Sequence, residues 1–198
     1  MLVKTFGSAV YGINAVTITV EVSVGQSGMN YYLVGLPDNA VKESYQRIET
    51  AIKHINYKMP RVKIVVNMAP ADIRKEGSSY DLTIASGILA ASGQIEDIEK
   101  LAKYIIMGEL SLDGEVKPIK GALPIAIQAR KEGFEGFILP KQNAREAAIV
   151  SGLKVYGVDS ILDIIHFFNG EKELEQVIVD TRKEFEENII KLDTDFQT

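Results

Sequence analysis

Apolar and polar residues alternate through positions 16–24: Val16, Ile18, Val20, Val22 and Val24 share one parity, and Thr17, Thr19, Glu21 and Ser23 the other. This period of two predicts a strand with one buried face. Residues 2–10 predict a strand before it, with Gly12 and Asn14 at the turn. Gly25-Gln26-Ser27-Gly28 predicts a turn into a returning strand at 30–34. Past Leu36-Pro37-Asp38-Asn39 the period lengthens. Val41, Tyr45, Ile48 and Ile52 recur at helical spacing as far as His54, with Asp38 placed to cap the first turn. Lys42, Glu43, Arg47, Glu49 and Lys53 fill the rest of that helix. Pro60 then interrupts, and 62–68 reads as a buried strand.

The second half changes type more often. Residues 82–91 are rich in Leu, Ile and Ala around Gly87, the pattern of a helix packed closely on a neighbour, ending at Gly93. Residues 95–104 predict a shorter amphipathic helix. Residues 105–112 and 115–119 predict a hairpin through a type I′ turn at Asp113-Gly114, with Pro118 keeping the return strand short or at an edge. Helices at 123–131, 143–150 and 160–168, each followed by a glycine, alternate with strands at 136–140 and 153–158. Helices alternating with short buried strands make an α/β or α+β sandwich, with a mixed sheet under the helices.

Charge separates the tail from the body. Residues 171–198 hold nine acidic and four basic residues, which accounts for the whole net charge of −5; residues 1–170 are neutral. A neutral body is unlike a dedicated nucleic-acid module, though it leaves room for a local patch. The tail reads as a helix or a partly ordered linker. Cysteine is absent, which removes disulfides, thiolate metal sites and cysteine catalysis, and fits a cytoplasmic location. No apolar run has membrane-helix length, and the first residues lack a signal-peptide pattern.

Candidate chemistry concentrates at Gly77-Ser78-Ser79, a turn between the 62–68 strand and the 82–91 helix. A serine there can cap the helix, the turn can hold an anion at the helix N-terminus, or Ser79 can be a nucleophile. Spacing alone favours the cap. A nucleophile needs a base, and the two histidines, His54 and His166, stand in unpersuasive places, which leaves a lysine. No phosphate-binding loop of the form G-x-x-x-x-G-K-[ST] occurs, and no carboxylate or histidine set has metal-ligand spacing, so neither a cofactor nor a metal is expected in this chain. Surface solvation explains Asp72, Glu76 and Asp81 near the turn as well as metal binding does.

Four longer motifs occur in order. They are Val34-Gly35-Leu36-Pro37-Asp38-Asn39-Ala40-Val41-Lys42-Glu43-Ser44, then Val66 through Gly77 and on to Asp81-Leu82, then Gly108 through Val116, then Pro140 through Ala148. Together they resemble the N-terminal domain of magnesium-chelatase-like AAA+ ATPases of the YifB/ComM type, across residues 1–170. The resemblance implies that 171–198 leads toward an AAA+ motor, with ATP and Mg belonging to that motor. It implies a cytoplasmic, hexameric parent whose ComM-type members are DNA helicases for branch migration in natural transformation.

The same region is similar to the proteolytic domain of Lon protease, a fold shared with a ribosomal-protein domain, so the implied fold is α+β with helices over a mixed sheet. Lon-type sites pair a serine with a lysine. The matching motifs put Ser79 at the nucleophile and Leu123 where the lysine belongs, with Lys120 three residues earlier. The expected role is therefore non-catalytic: contact with its own motor, with neighbouring subunits, or with DNA, and none with a membrane. For DNA the candidate residues are Lys42, Arg47, Arg74 and Lys75. The alternatives are a Lon-like serine peptidase using Lys120 or another lysine, and a chelatase-type subunit for metal insertion.

Overall fold

The period-two segments become β1 (Leu2–Tyr11) and β2 (Asn14–Val24), an antiparallel pair in register from Leu2 opposite Ser23 to Tyr11 opposite Asn14. The computed structural model describes residues 1–196. The remaining elements follow as β3 (Tyr31–Val34), α1 (Asn39–Lys42), α2 (Ser44–His54), β4 (Ile64–Ala69), α3 (Asp81–Ala91), α4 (Ile98–Leu101), β5 (Tyr104–Ile106), β6 (Glu109–Leu110) and β7 (Val116–Lys117). Then come α5 (Ala122–Lys131), β8 (Gly136–Pro140), α6 (Lys141–Ala148), β9 (Lys154–Val158), α7 (Ile161–Phe168) and α8 (Thr181–Phe196).

Seven strands form one mixed sheet in the order β3-β4-β2-β1-β5-β8-β9. β1 meets β5 through a single register pair, Phe6 with Ile105, so the sheet has a seam in its middle. The fold is thus α+β with helices over a mixed sheet, as the resemblance implies.

The core is built around α3. All eleven of its residues are buried, and it lies against β1 and β2. Gly87 permits that approach: a Cβ there would stand 2.6 Å from a Val22 methyl. Successive β1 residues reach opposite faces. Thr5 donates to the Thr83 carbonyl on α3, while Phe6 meets the Phe134 ring just past α5, with centroids 5.3 Å apart. Helices therefore cover both faces of the central strands.

Three local expectations need correction. β3 does not return on β2. It pairs in parallel with β4, which sits between them antiparallel to β2. β4 lies inside the sheet: its backbone is paired on both edges, and Ile64, Val66 and Met68 on one face are almost wholly excluded from solvent. The 95–104 helix shrinks to one turn at α4, because the buried run Tyr104-Ile105-Ile106 belongs to the sheet. The 105–119 hairpin is divided, with β5 in the large sheet and only β6 and β7 paired as a ribbon. Its turn is not type I′. Gly114 alone takes positive φ, and the Gly114 amide donates to the Ser111 carbonyl while the Ser111 amide donates to Glu115, a longer turn ending in a glycine bulge.

The acidic tail begins on the body. The Val177 amide donates to the Val155 carbonyl at 2.8 Å, Gln176 bridges to Tyr156, and Leu174 and Val177 pack on the core. α8 follows, with Ile189, Ile190 and Leu192 exposed.

Candidate functional site

The 70–81 loop is tied down from below. Lys75 is fully buried, and its ammonium donates to the Gly35 carbonyl at 2.7 Å and to the Pro70 carbonyl. Burial lowers its pKa, with Asp72 opposing. Its backbone pairs with the loop before α1: the Lys75 amide donates to Leu36, and the Asp38 amide to Lys75. Gly35 has φ +106°, and a Cβ there would lie 2.0 Å from the Met68 carbonyl oxygen, so only glycine lets the chain leaving β3 pass against the end of β4. Asp38 completes the link. One carboxylate oxygen caps α1 through the Val41 amide at 2.8 Å, and the other accepts from the Gly77 amide at 3.1 Å.

Behind the loop, Asp81 is 1 % exposed. Arg47 reaches it from α2 with two nitrogens, and the Leu110 amide donates to it at 3.0 Å. Burial is the largest influence and pushes the carboxyl up to about 6, with the Arg47 fork and the Leu110 amide pulling it down. This one residue joins α2, α3 and the β6–β7 ribbon.

Ser78 and Ser79 do not cap α3. The N-cap is Tyr80, without a side-chain bond to the helix. Carbonyls serve the first amides instead: Asp81 donates to Ser78, and Leu82 to Gly108. The Ser79 carbonyl accepts from the Gly108 amide at 2.9 Å, so the serine is fixed by its backbone. Its side chain lines a cleft of about 440 Å³ together with Asp38, Glu76, Tyr80, Met107 and Lys120. Ser79 and Lys120, 41 positions apart in sequence, thus line one cleft, with no hydrogen bond between them. Leu123 is partly buried against the core and does not line the cleft.

The residues named for DNA contact divide. Lys42 is exposed, and Arg74 is 68 % exposed beside Glu76 at 3.3 Å. Lys75 presents no surface, so that assignment is corrected: carbonyls hold its charge in the interior. Arg47 is corrected as well, since its guanidinium is spent on Asp81 and on the Ala40 carbonyl at 3.0 Å. Asp81 is not a solvated acid. No group of three or more His, Asp or Glu among the described residues could hold a metal ion. His54 is exposed and His166 stands 3.8 Å from Glu171; neither lines the cleft. No helix among the described residues is long and apolar enough to cross a membrane.

The family described as subunit ChlI of Mg-chelatase matches residues 20–143. Over 173 residues the chain is 39% identical to the competence protein ComM of Haemophilus influenzae, covering 87% of this chain and 34% of that protein. Over 168 residues it is 39% identical to the uncharacterized protein YifB of Escherichia coli, covering 85% and 33%. Lon protease 2 of Bacillus subtilis is 26% identical over 178 residues, covering 80% and 31%. The chain spans about a third of the length of the curated relatives it matches.

Proposed function

The chain belongs to the family of subunit ChlI of Mg-chelatase, and from that membership we propose that it is the non-catalytic, Lon-like N-terminal unit of a longer AAA+ ATPase. In this reading the parent is a cytoplasmic hexamer that moves DNA branches, as a ComM-type helicase does. The unit organises contacts between subunits and engages DNA beside the motor. ATP and magnesium belong to the motor in this reading, as the family resemblance implies.

One observation supports the non-catalytic role above others. The position that resembles the Lon lysine is Leu123, packed on the core and outside the cleft that Ser79 lines. Leucine cannot accept a proton, and a serine hydroxyl without a base is a weak nucleophile. The test is branch migration by the whole protein on a four-way junction. The reading expects ATP-dependent migration that Ser79→Ala leaves intact. Absence of migration with ATP turnover intact would remove the helicase assignment.

The shared cleft favours one second reading, a serine peptidase with Lys120 as base. Ser79 Oγ would attack the peptide carbonyl and pass its proton to a neutral Lys120 Nζ, which would return it to the leaving amine. A fluorophosphonate probe separates the two. Labelling that Ser79→Ala and Lys120→Met both abolish supports the peptidase, and no labelling supports the first reading.

A further inference from the structure

Residues 50–71 hold four basic residues and no acidic one, in a body that is neutral as a whole. Lys53, Lys58, Arg61 and Lys63 from this segment are all exposed. Lys53 and Arg61 flank a recess of about 240 Å³ whose walls include Met29, Tyr31, Tyr45 and Met59. Glu49 is the acid in this wall. Lys53 Nζ holds it at 2.7 Å, and that bond, with help from Tyr45 and Arg61, keeps its carboxyl below the usual range. Lys58, Arg61 and Lys63 have no ion-pair partner among the described residues.

An exposed aromatic stands beside one of these charges. Tyr32 is 46% exposed on the edge strand β3, and Lys63 Nζ lies 5.5 Å from its ring centroid. Asn30 Nδ2 donates to the Tyr32 hydroxyl at 3.2 Å. Met29, next along, is 80% exposed.

We propose that this surface binds single-stranded nucleic acid along the β3 edge of the sheet, with phosphates on Lys58, Arg61 and Lys63 and an unstacked base against Tyr32. The proposal deepens the DNA reading above and rests on it for the biological strand. Charge alone would suit any polyanion. The aromatic and thioether surface among the cations selects the strand, because an unpaired base has an open face to stack and a duplex does not.

The test titrates this chain against a fluorescein-labelled 20-residue thymidine homopolymer by anisotropy, from 50 to 200 mM salt. Each phosphate neutralised on a single strand adds about −0.7 to the log–log salt slope, so three contacts give about −2. The combined Lys58→Ala, Arg61→Ala, Lys63→Ala variant should bind at least ~10-fold more weakly, with a nearly flat slope. Tyr32→Ala should lose roughly 10-fold and Tyr32→Phe should keep affinity, the expected effect of stacking. Circular dichroism confirms that each variant is folded.

No binding at 50 mM salt overturns the proposal, as does an unchanged triple variant. Displacement by polyglutamate as strong as by the homopolymer assigns the surface to acidic polypeptides instead. Equal affinity for a duplex, with Tyr32→Ala silent, removes the single strand. In the whole protein, branch migration unaffected by the triple variant sinks this site and leaves the helicase reading standing.

Discussion

Arg47 holds Asp81 with two parallel bonds, Nε to Oδ2 at 2.6 Å and Nη2 to Oδ1 at 2.9 Å, and so locks α2 onto the first turn of α3. The carboxylate is almost wholly buried, so its partner matters more than the pair does. Replacing both by apolar groups can be nearly neutral, whereas removing one strands a charge. Arg47→Met should therefore cost up to about 3–5 kcal/mol in urea denaturation, most at pH well above 6, where Asp81 is ionised in the native protein. A loss under ~1 kcal/mol would mean that Asp81 is protonated or hydrated once the arginine is gone.

Asp81 also sets a pH dependence. Its carboxyl rises from 3.8 to about 6 in the fold, so the folded state binds the proton more tightly than the unfolded one. The resulting stabilisation is complete below pH 3.8 and is lost as pH rises through about 6. Against Asp81→Asn, which has no proton to lose, the advantage of the native residue should shrink by about 3 kcal/mol across that window. Urea midpoints at half-unit pH steps measure it. An advantage that grows with pH would show the Arg47 fork outweighing burial.

Ser79→Ala should leave stability within about 0.5 kcal/mol, the usual range for changes away from special features. A serine acting as a helix cap would lose ~1 kcal/mol on the same change. Thermal melts of the two proteins decide the point, and a loss of cap size would return the hydroxyl to the helix terminus.

Gly87→Ala should destabilise the protein by about 1–3 kcal/mol, although alanine is the better helix former. The new methyl would sit 2.6 Å from Val22 Cγ2 inside the core. Val22→Ala in the same chain should recover part of the loss, because it removes the atom in the way. Calorimetry of the single and double variants tests this, and a gain from Gly87→Ala alone would disprove the close packing.

Lys75→Met should cost about 2 kcal/mol, the scale of a hydrogen bond from a charged donor, by leaving the Gly35 and Pro70 carbonyls without their ammonium. It should not alter the salt dependence of oligonucleotide binding, because the residue has no surface. A reduced salt slope would show the loop opening in solution.

Local pattern carries most of the fold. The strand at 136–140 coincides with β8, Asp38 caps α1, and Gly87 marks the buried helix. What the pattern misses is pairing between distant segments. Nothing near Tyr31 announces that β4 will intervene between β3 and β2, because strand order depends on pairing with a segment about 33 positions further along the chain. The site divides the same way. Ser79 stands out by its turn, but the burial of Lys75 and the commitment of Arg47 depend on partners 34 to 40 positions away. Lys58, Arg61 and Lys63 had a signal, a 22-residue stretch without an acid, which the zero net charge of the body conceals.

The tail leaves the body beside β9, at one end of a sheet whose other end is β3. A mechanical load entering at Val177 and resisted at the β3 edge has to cross six strand boundaries in series, a distance of roughly 29 Å at the usual interstrand spacing. The boundary between β1 and β5, with one register pair, has the fewest strand hydrogen bonds of them. Pulled from its two edges, the domain would pass the load across that boundary through α5, which packs on β1 and β2 on one side and on β8 and α6 on the other.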